Sequence, residues 1–536
     1  MYSCIYKYAG LILFQQSSTL IIMLSTRLKS STLYILATGF LVLSLFSGSQ
    51  AQELEQFEEK VTEFTLDNGL TFLVIERHLA PVASFVTFVD VGAANEPAGN
   101  TGIAHIFEHM AFKGTHYIGT ANWEEEKPLI DKMDDTYQQW VRTRNRPQTD
   151  STRIDSLWSR FKSLQEEAGQ YVENNEFAQI IDVHGGTGLN AGTGADQTVY
   201  FYSLPENKIE LWFSLESDRF KNPVFREFYK EKQVILEERR RRVESSPVGR
   251  LIEEMISVSY NTFPYGHPII GWQSDIEATT IEDTREFFNT HYVPGNMTIA
   301  IAGDVDPDHV KQLAKTYFGD LEPGEPAPQV TTEEPPQRGE RRFVIEGESQ
   351  PFYLMGYHTV NMHHPDAKPL QLLGSIISGG RTSRLYKRLV EEEEKALQVI
   401  AFNGYPGTKF ESLFITFAVP NRGVSPSEVE KLVLDEIEKV KNGAITKEEL
   451  QRAKTNARAN LIRGLDSNSG LAQRFAAAEA QQGDWRAVFT ELEELQQVTL
   501  DDLQRVAQKY FTKQNRTVGI LENAEQDSTA SSAPAN

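Results

Sequence analysis

Apolar residues recur along this chain with two different periods, and the switches between them mark out its elements. Leu70 to Ile75 and Ala83 to Val91 read as strands, with Asp67-Asn68-Gly69 as the turn before the first. The period then becomes helical: Ile103, Phe107 and Met110 fall on one arc while His105, Glu108 and His109 share the opposite one. Asn100 or Thr101 is the expected cap of this helix, and Gly114 its expected stop. Between Asn122 and Phe177 the chain is polar and highly charged. Within it Leu129, Met133, Tyr137, Trp140, Leu157, Phe161 and Leu164 stand near helical spacing, which predicts an inserted helical hairpin. Its charged faces are most simply solvent-facing, with a lid over the site or a partner-docking arm as the alternatives. Phe225 to Val243 predicts a further helix.

A stretch rich in Pro, Glu and Thr, residues 321–340, has the composition of a linker and splits the chain into comparable halves. The halves echo each other. Thr280-Ile281-Glu282-Asp283 leads through Tyr292 to Asn296-Met297-Thr298-Ile299; Thr499-Leu500-Asp501-Asp502 leads through Phe511 to Asn515-Arg516-Thr517-Val518, at a constant offset of 219 residues. In both, a capped amphipathic helix runs into a strand, so the expected fold class is α+β, with two homologous α/β-sandwich domains. These span 52–320, with a helical insertion at about 122–177, and 341–523. The Ser- and Ala-rich tail, 524–536, is expected to be disordered.

The N-terminus changes where the protein is expected to work. Arg27 and Lys29 precede an apolar run from Leu33 to Phe46, and Ser49-Gln50-Ala51 suits signal-peptidase cleavage before Gln52. Residues 1–51 therefore read as a cleaved export signal, and the mature chain as exported and periplasmic. Met23, just upstream of the basic pair, is an alternative start. The single cysteine, Cys4, is lost on cleavage, leaving neither disulfides nor thiol ligands. A formal charge of -22 disfavours nucleic acid and anionic membrane as partners.

The chemistry concentrates at His105-Ile106-Phe107-Glu108-His109. Imidazoles four apart on a helix lie one turn apart on the same side, so both can reach one zinc ion at about 2.0–2.1 Å. Glu108 falls beside them as a general base. A catalytic zinc needs a third protein ligand, and without thiols it must be another histidine or a carboxylate. On the Phe225 to Val243 helix, Glu231 and Glu238 lie seven apart and hence on one stripe, while Glu237 points elsewhere. Glu238 is the candidate ligand, though spacing alone fits surface acids of an Arg-rich helix as well.

His105 to His109, followed by Glu231 to Glu238 in the form Glu-Lys-Gln-Val-Ile-Leu-Glu-Glu, resembles the inverted-zincin (M16) peptidases of the insulinase and mitochondrial-processing-peptidase family. Gly185-Gly186, Asn190-Ala191, Phe263-Pro264-Tyr265-Gly266 and His291-Tyr292 through Gly303-Asp304 extend the likeness over nearly the whole mature chain. The resemblance implies domains of the LuxS/M16-like type closing around a chamber in which zinc, one ion per chain, supports peptide hydrolysis. It implies Glu108 as base, His105, His109 and Glu238 as metal ligands, and Glu231 as the acid orienting a histidine. Asn190 and Ala191 would lie on a strand edge that binds extended substrate. In the second half, members that complete their own site carry an Arg and, seven residues later, a Tyr; this chain has Val390 and Leu397, which donate no hydrogen bond. That departure resembles the zinc-bearing subunit of a two-chain peptidase, and predicts an inactive M16-like partner supplying the Arg and Tyr contacts, a homodimer being the alternative. The competing function is a non-catalytic scaffold or assembly subunit of the same fold.

Overall fold

The computed structural model describes residues 57–147 and 150–523. The export signal and the tail predicted above lie outside the described residues. Six strands, β1 (Val61–Thr65), β2 (Thr71–Glu76), β3 (Val82–Val89), β4 (Thr187–Thr193), β5 (Thr198–Pro205) and β6 (Met297–Gly303), form one sheet in the order β1-β2-β6-β3-β5-β4. Five more, β7 (Arg341–Gly347), β8 (Phe352–His358), β9 (Ala396–Tyr405), β10 (Leu413–Pro420) and β11 (Arg516–Asn523), form a second in the order β7-β11-β8-β10-β9. Apart from the additional edge strand β1, the wiring is the same in both. The parallel pair β2–β6 corresponds to β7–β11, and the antiparallel run from β6 through β3 and β5 to β4 corresponds to that from β11 through β8 and β10 to β9. The internal echo thus marks equivalent elements: β6 and β11 are its two strands.

Burial follows the pattern of each strand. Every residue of the central strand β6 is buried, as its continuous apolar run requires. At the sheet edge, β4 keeps most of its residues at least partly exposed. Against the first sheet pack α1 (Ile103–Met110), which carries the histidine motif, and α5 (Ile209–Lys221). The insertion is the predicted hairpin, α2 (Trp123–Arg144) packed along α3 (Ser151–Gly169), followed by α4 (Glu176–Val183), which leads into β4. Its apolar stripe is used against the molecule rather than left open: the rings of Tyr137 and Phe161 pack against Tyr229, tilted and edge-on respectively, at the start of α6 (Phe228–Arg239).

The predicted helix from Phe225 to Val243 is shorter and more irregular than its sequence suggested. It enters through Glu227 in a left-handed conformation (φ 57°) and, after Arg239, loosens into a π-helical turn over Arg240–Glu244.

One feature of the packing is absent from any local pattern. Helix α7 (Pro247–Ser259) belongs to the first half but lies on β7, β8 and β11 of the second sheet, its Leu251 and Met255 buried among Phe352, Leu354, Ile415 and Leu521. Conversely α8 (Asn468–Gln482), from the second half, lies on β2, β3, β5 and β6. Its Ala472 and Ala476 are fully buried, and these small side chains allow it to sit close to the strands. The halves therefore exchange a helix, and residues from Thr62 onward form one compact unit. Residues 321–340 contain no helix or strand, and Glu334 within them takes the backbone N–H groups of Asn261, Thr262 and Phe263.

Candidate metal centre

The histidine helix is held at both faces and at its start. Phe107, opposite the histidines, packs its ring on Phe288 and Tyr292. Neither predicted cap operates: the first turn is preceded by Gly102 in a left-handed conformation (φ 88°), and Thr101 is turned away to donate to Asp275. The helix's free N–H groups go instead to Glu96, whose carboxylate accepts from Gly102 N at 2.8 Å and Ala104 N at 3.0 Å. A glycine is required at Gly102 because a Cβ there would lie 2.6 Å from the Ile270 carbonyl oxygen, where the loop after α7 and Pro264–Gly266 crosses the helix start. The helix ends at Met110, capped by Ala111, four residues before the Gly114 expected to stop it.

His105, Glu108 and His109 then face α6. Glu238 places Oε2 3.8 Å from His105 Nε2 and 3.7 Å from His109 Nε2. Donor atoms of all three lie within 4.8 Å of one another, the one such group of His, Cys, Asp or Glu found among the described residues. Two ligands about 2.1 Å from one tetrahedral ion stand about 3.4 Å apart, so the set fits zinc with little adjustment. The nitrogen and oxygen donors match the thiol-free site foreseen from the sequence. The other oxygen of Glu238, Oε1, is held at 2.8 Å by Arg242, presented by the π-helical turn. That grip leaves Oε2 for the imidazoles.

Electrostatics prepare the two histidines differently. Burial, reinforced by His109 and Arg242, lowers the pKa of His105 to about 3, so it stays a neutral donor. Burial also opposes a charge on His109, but the hydrogen bond it donates to Glu231 and the nearby Glu108 and Glu238 outweigh it and hold its pKa above the usual imidazole value. Glu231 Oε2 lies 3.3 Å from His109 Nδ1, the atom left free for an orienting partner when Nε2 binds metal. Burial alone would raise the Glu231 carboxyl, yet His109 and Lys113 bring it down to about 2.

Glu108 is not part of the donor set. Burial raises its pKa, and the Thr193 hydroxyl donates to its Oε2 at 2.6 Å. Thr193 ends β4, the strand that carries Asn190 and Ala191, so the candidate base and the open strand edge are physically joined. Asn190 is exposed and Ala191 half-buried; both line a cavity of about 400 Å³ together with Glu108 and His109. Thus the structure brings together every residue singled out from the sequence at this site. It adds Thr193, Glu96 and Arg242.

The family model described as Insulinase (Peptidase family M16) matches residues 71–126 and 165–272, and that described as Peptidase M16 inactive domain matches residues 278–457. The chain belongs to the M16 peptidase family. Among its relatives, the zinc protease PqqE of Helicobacter pylori is 28% identical over 498 residues, 90% of this chain and 97% of that protein. The crystal structure of a protease from Helicobacter pylori aligns with TM-score 0.72 at 27% identity, covering 86% of this chain and 99% of that one. The periplasmic protease PqqL of Escherichia coli has the same fold, with TM-score 0.64 at 18% identity; 89% of this chain covers 49% of that one. Among the described residues of this M16 chain the donor set occurs once. The helix after β8, Ala367–Ser378, follows it as α1 follows β3, and has no His, Asp or Glu. The M16 model skips 127–164, most of the hairpin.

Proposed function

We propose that this chain is a zinc-dependent endopeptidase acting on peptides or unfolded polypeptide segments, with His105, His109 and Glu238 holding the ion and Glu108 as general base. The observation that carries this reading is the convergence of Glu238 Oε2 on both imidazole Nε2 atoms beside a carboxylate that stays outside the donor set. Zinc bound there would supply Lewis acidity and bring the pKa of a water toward ~7. Glu108, its Oε2 fixed by Thr193 and its pKa raised by burial, is placed to take a proton from water and return it to the leaving amine. The strand edge at Asn190 and Ala191 offers backbone groups to an extended peptide beside that carboxylate. Glu108→Gln should keep zinc, measured by metal analysis, while lowering peptide cleavage by about two to four orders of magnitude. Cleavage at the parent rate would remove the proposal.

The chain is further proposed to work with a second, metal-free M16-like subunit in the periplasm. Val390 and Leu397 support the partner: one is half-buried against the apolar core and the other stands 56% exposed on β9, and neither offers a donor. That PqqL contains about twice the length this chain covers is consistent with paired units, and PqqL is a periplasmic protease, in keeping with the export signal read from the sequence. Zinc-loaded but alone, the chain should turn over peptides only slowly, and adding the co-purified partner should restore the rate. Full turnover by the isolated chain would refute the pairing.

A further inference from the structure

Strand β4 carries the edge proposed for the peptide and, at Thr193, the hydroxyl that holds Glu108, yet along its own length it is weakly supported. As the outermost strand it pairs with β5 alone, and its ladder is interrupted between Thr187 and Asn190. Where Asn190 to Thr193 sit therefore depends on the turn that follows, Gly194 to Gln197. That turn is gripped from two sides. From the first half, Ala93 and Ala94 donate their N–H groups to the carbonyls of Gly194 at 3.1 Å and Ala195 at 2.8 Å, just before Glu96 takes up the start of the histidine helix. Gly92 leaves room for this approach, since a Cβ there would lie 2.5 Å from the Gly194 carbonyl oxygen.

The second grip comes from the other half of the chain. Asp196, 4% exposed, accepts the Tyr265 hydroxyl on Oδ1 at 2.5 Å, and on Oδ2 the backbone N–H groups of Thr408 at 2.8 Å and Lys409 at 3.1 Å. Thr408 and Lys409 belong to the loop between β9 and β10. A Cβ on Gly407 would collide with Asp196 Oδ2 and the Tyr265 hydroxyl, so glycine there lets the loop close on the carboxylate. Beside it Lys409 Nζ reaches Asp90 Oδ2 at 2.5 Å, just past the end of β3, and Gln481 of α8 donates to the Gln197 side chain at 2.9 Å. Three donors thus satisfy a buried carboxylate, and two of them are backbone groups that only the second half supplies. The metal chemistry makes no use of Asp196, which stands three residues from the hydroxyl on Glu108.

We propose that Asp196 is a positioning residue through which the loop between β9 and β10 keeps the substrate edge and Glu108 aligned, so that the half without the metal donors sets the geometry of the half that has them. The reaction it serves is the peptide hydrolysis proposed above, but amide exchange tests the joint without it. Asp196→Ala and Gly407→Ala break the joint from opposite sides. In the full, zinc-loaded chain each should speed amide hydrogen exchange across residues 187–205 about tenfold while β6 keeps its protection. Each should also lower kcat/KM by about ten- to a hundredfold at parental zinc content, the scale of a misplaced reacting group, with the loss falling on kcat as well as KM because the same strand holds Glu108. Both act through one contact, so the double variant should be no worse than the more impaired single. Asp366→Ala removes another buried carboxylate of the second half, bound by Tyr510, Lys509 and Arg505, and should lower the melting temperature while leaving kcat/KM and this exchange unchanged. Should both joint variants fail to fold, Lys409→Met, which removes only the outer ion pair, is read in the same way with a smaller shift. Parental exchange in the β4–β5 hairpin of a folded, zinc-replete joint variant overturns the proposal. So does loosened exchange with cleavage undiminished from an active parent, or an equal loss of cleavage in Asp366→Ala. If the parent cleaves nothing, exchange that loosens in this hairpin alone still supports the joint, and the peptidase reading by itself fails.

Discussion

At the scale of single residues, neighbouring groups give two histidines of one helix opposite proton affinities. In the metal-free protein His109 binds its proton more tightly than an ordinary imidazole, whereas His105, at about 3, does not compete. Zinc must displace the His109 proton, so affinity should be highest above the raised His109 value and fall by one proton's worth as pH drops through it. The linkage to stability has the opposite sign. A folded-state pKa raised above 6.5 stabilises the metal-free fold fully below that value and loses the contribution as pH rises through the folded value. Chelator competition and melting of the metal-free protein across this window check both signs. A zinc affinity flat with pH would contradict them. At this scale turn geometry made the shared helix face of His105, Glu108 and His109 legible, whereas Glu238 stood out only through its spacing from Glu231 together with the family resemblance. Thr193 and Glu96 were not legible: their roles come from a strand and a loop brought alongside, and nothing in their spacing announces it.

At the scale of elements, a buried ion pair ties the insertion to the site. Arg226, immediately before α6, and Glu126, in the first turns of α2, are each 1% exposed at the side chain, and Arg226 also gathers three carbonyls of the loop after the histidine helix. Glu126→Ala would strand that guanidinium. It should cost about 3–5 kcal/mol in urea unfolding, whereas the double variant Glu126→Leu with Arg226→Met should recover much of the loss. A single-variant cost below about 1 kcal/mol, the range of an exposed pair, would show that the link is not structural. The hairpin itself was readable, since Leu129, Met133, Tyr137, Phe161 and Leu164 repeat at helical spacing. Its role was not, because the apolar stripe says that a face is covered and leaves unsaid by what. The left-handed entry at Glu227 likewise gave no signal, glutamate being an unusual choice for it.

For the whole molecule, the decisive feature is the exchange of α7 and α8 between two sheets that are wired alike apart from β1. The repeat was visible in the 219-residue offset, but a helix pattern does not name the sheet it will cover, and the exchange appears only in three dimensions. It makes the halves interdependent. Residues 52–320 produced alone would expose Leu251 and Met255 on α7 and leave the first sheet without α8, so they should be insoluble or melt without cooperativity. Co-production with residues 341–523 should yield a soluble one-to-one complex, read by size-exclusion chromatography with light scattering. A well-behaved monomer of 52–320 alone would count against the interdependence.

The open side of β4 has a consequence for what this chain leaves alone. Amide and carbonyl groups at a sheet margin can be joined only by a polypeptide whose own are free, and in a folded neighbour those groups are already engaged in its helices and ladders. A native bystander would have to unravel locally before offering such a segment. Discrimination between intact proteins and loose fragments would then need no recognition of sequence at all, because the bystander's own cohesion provides it.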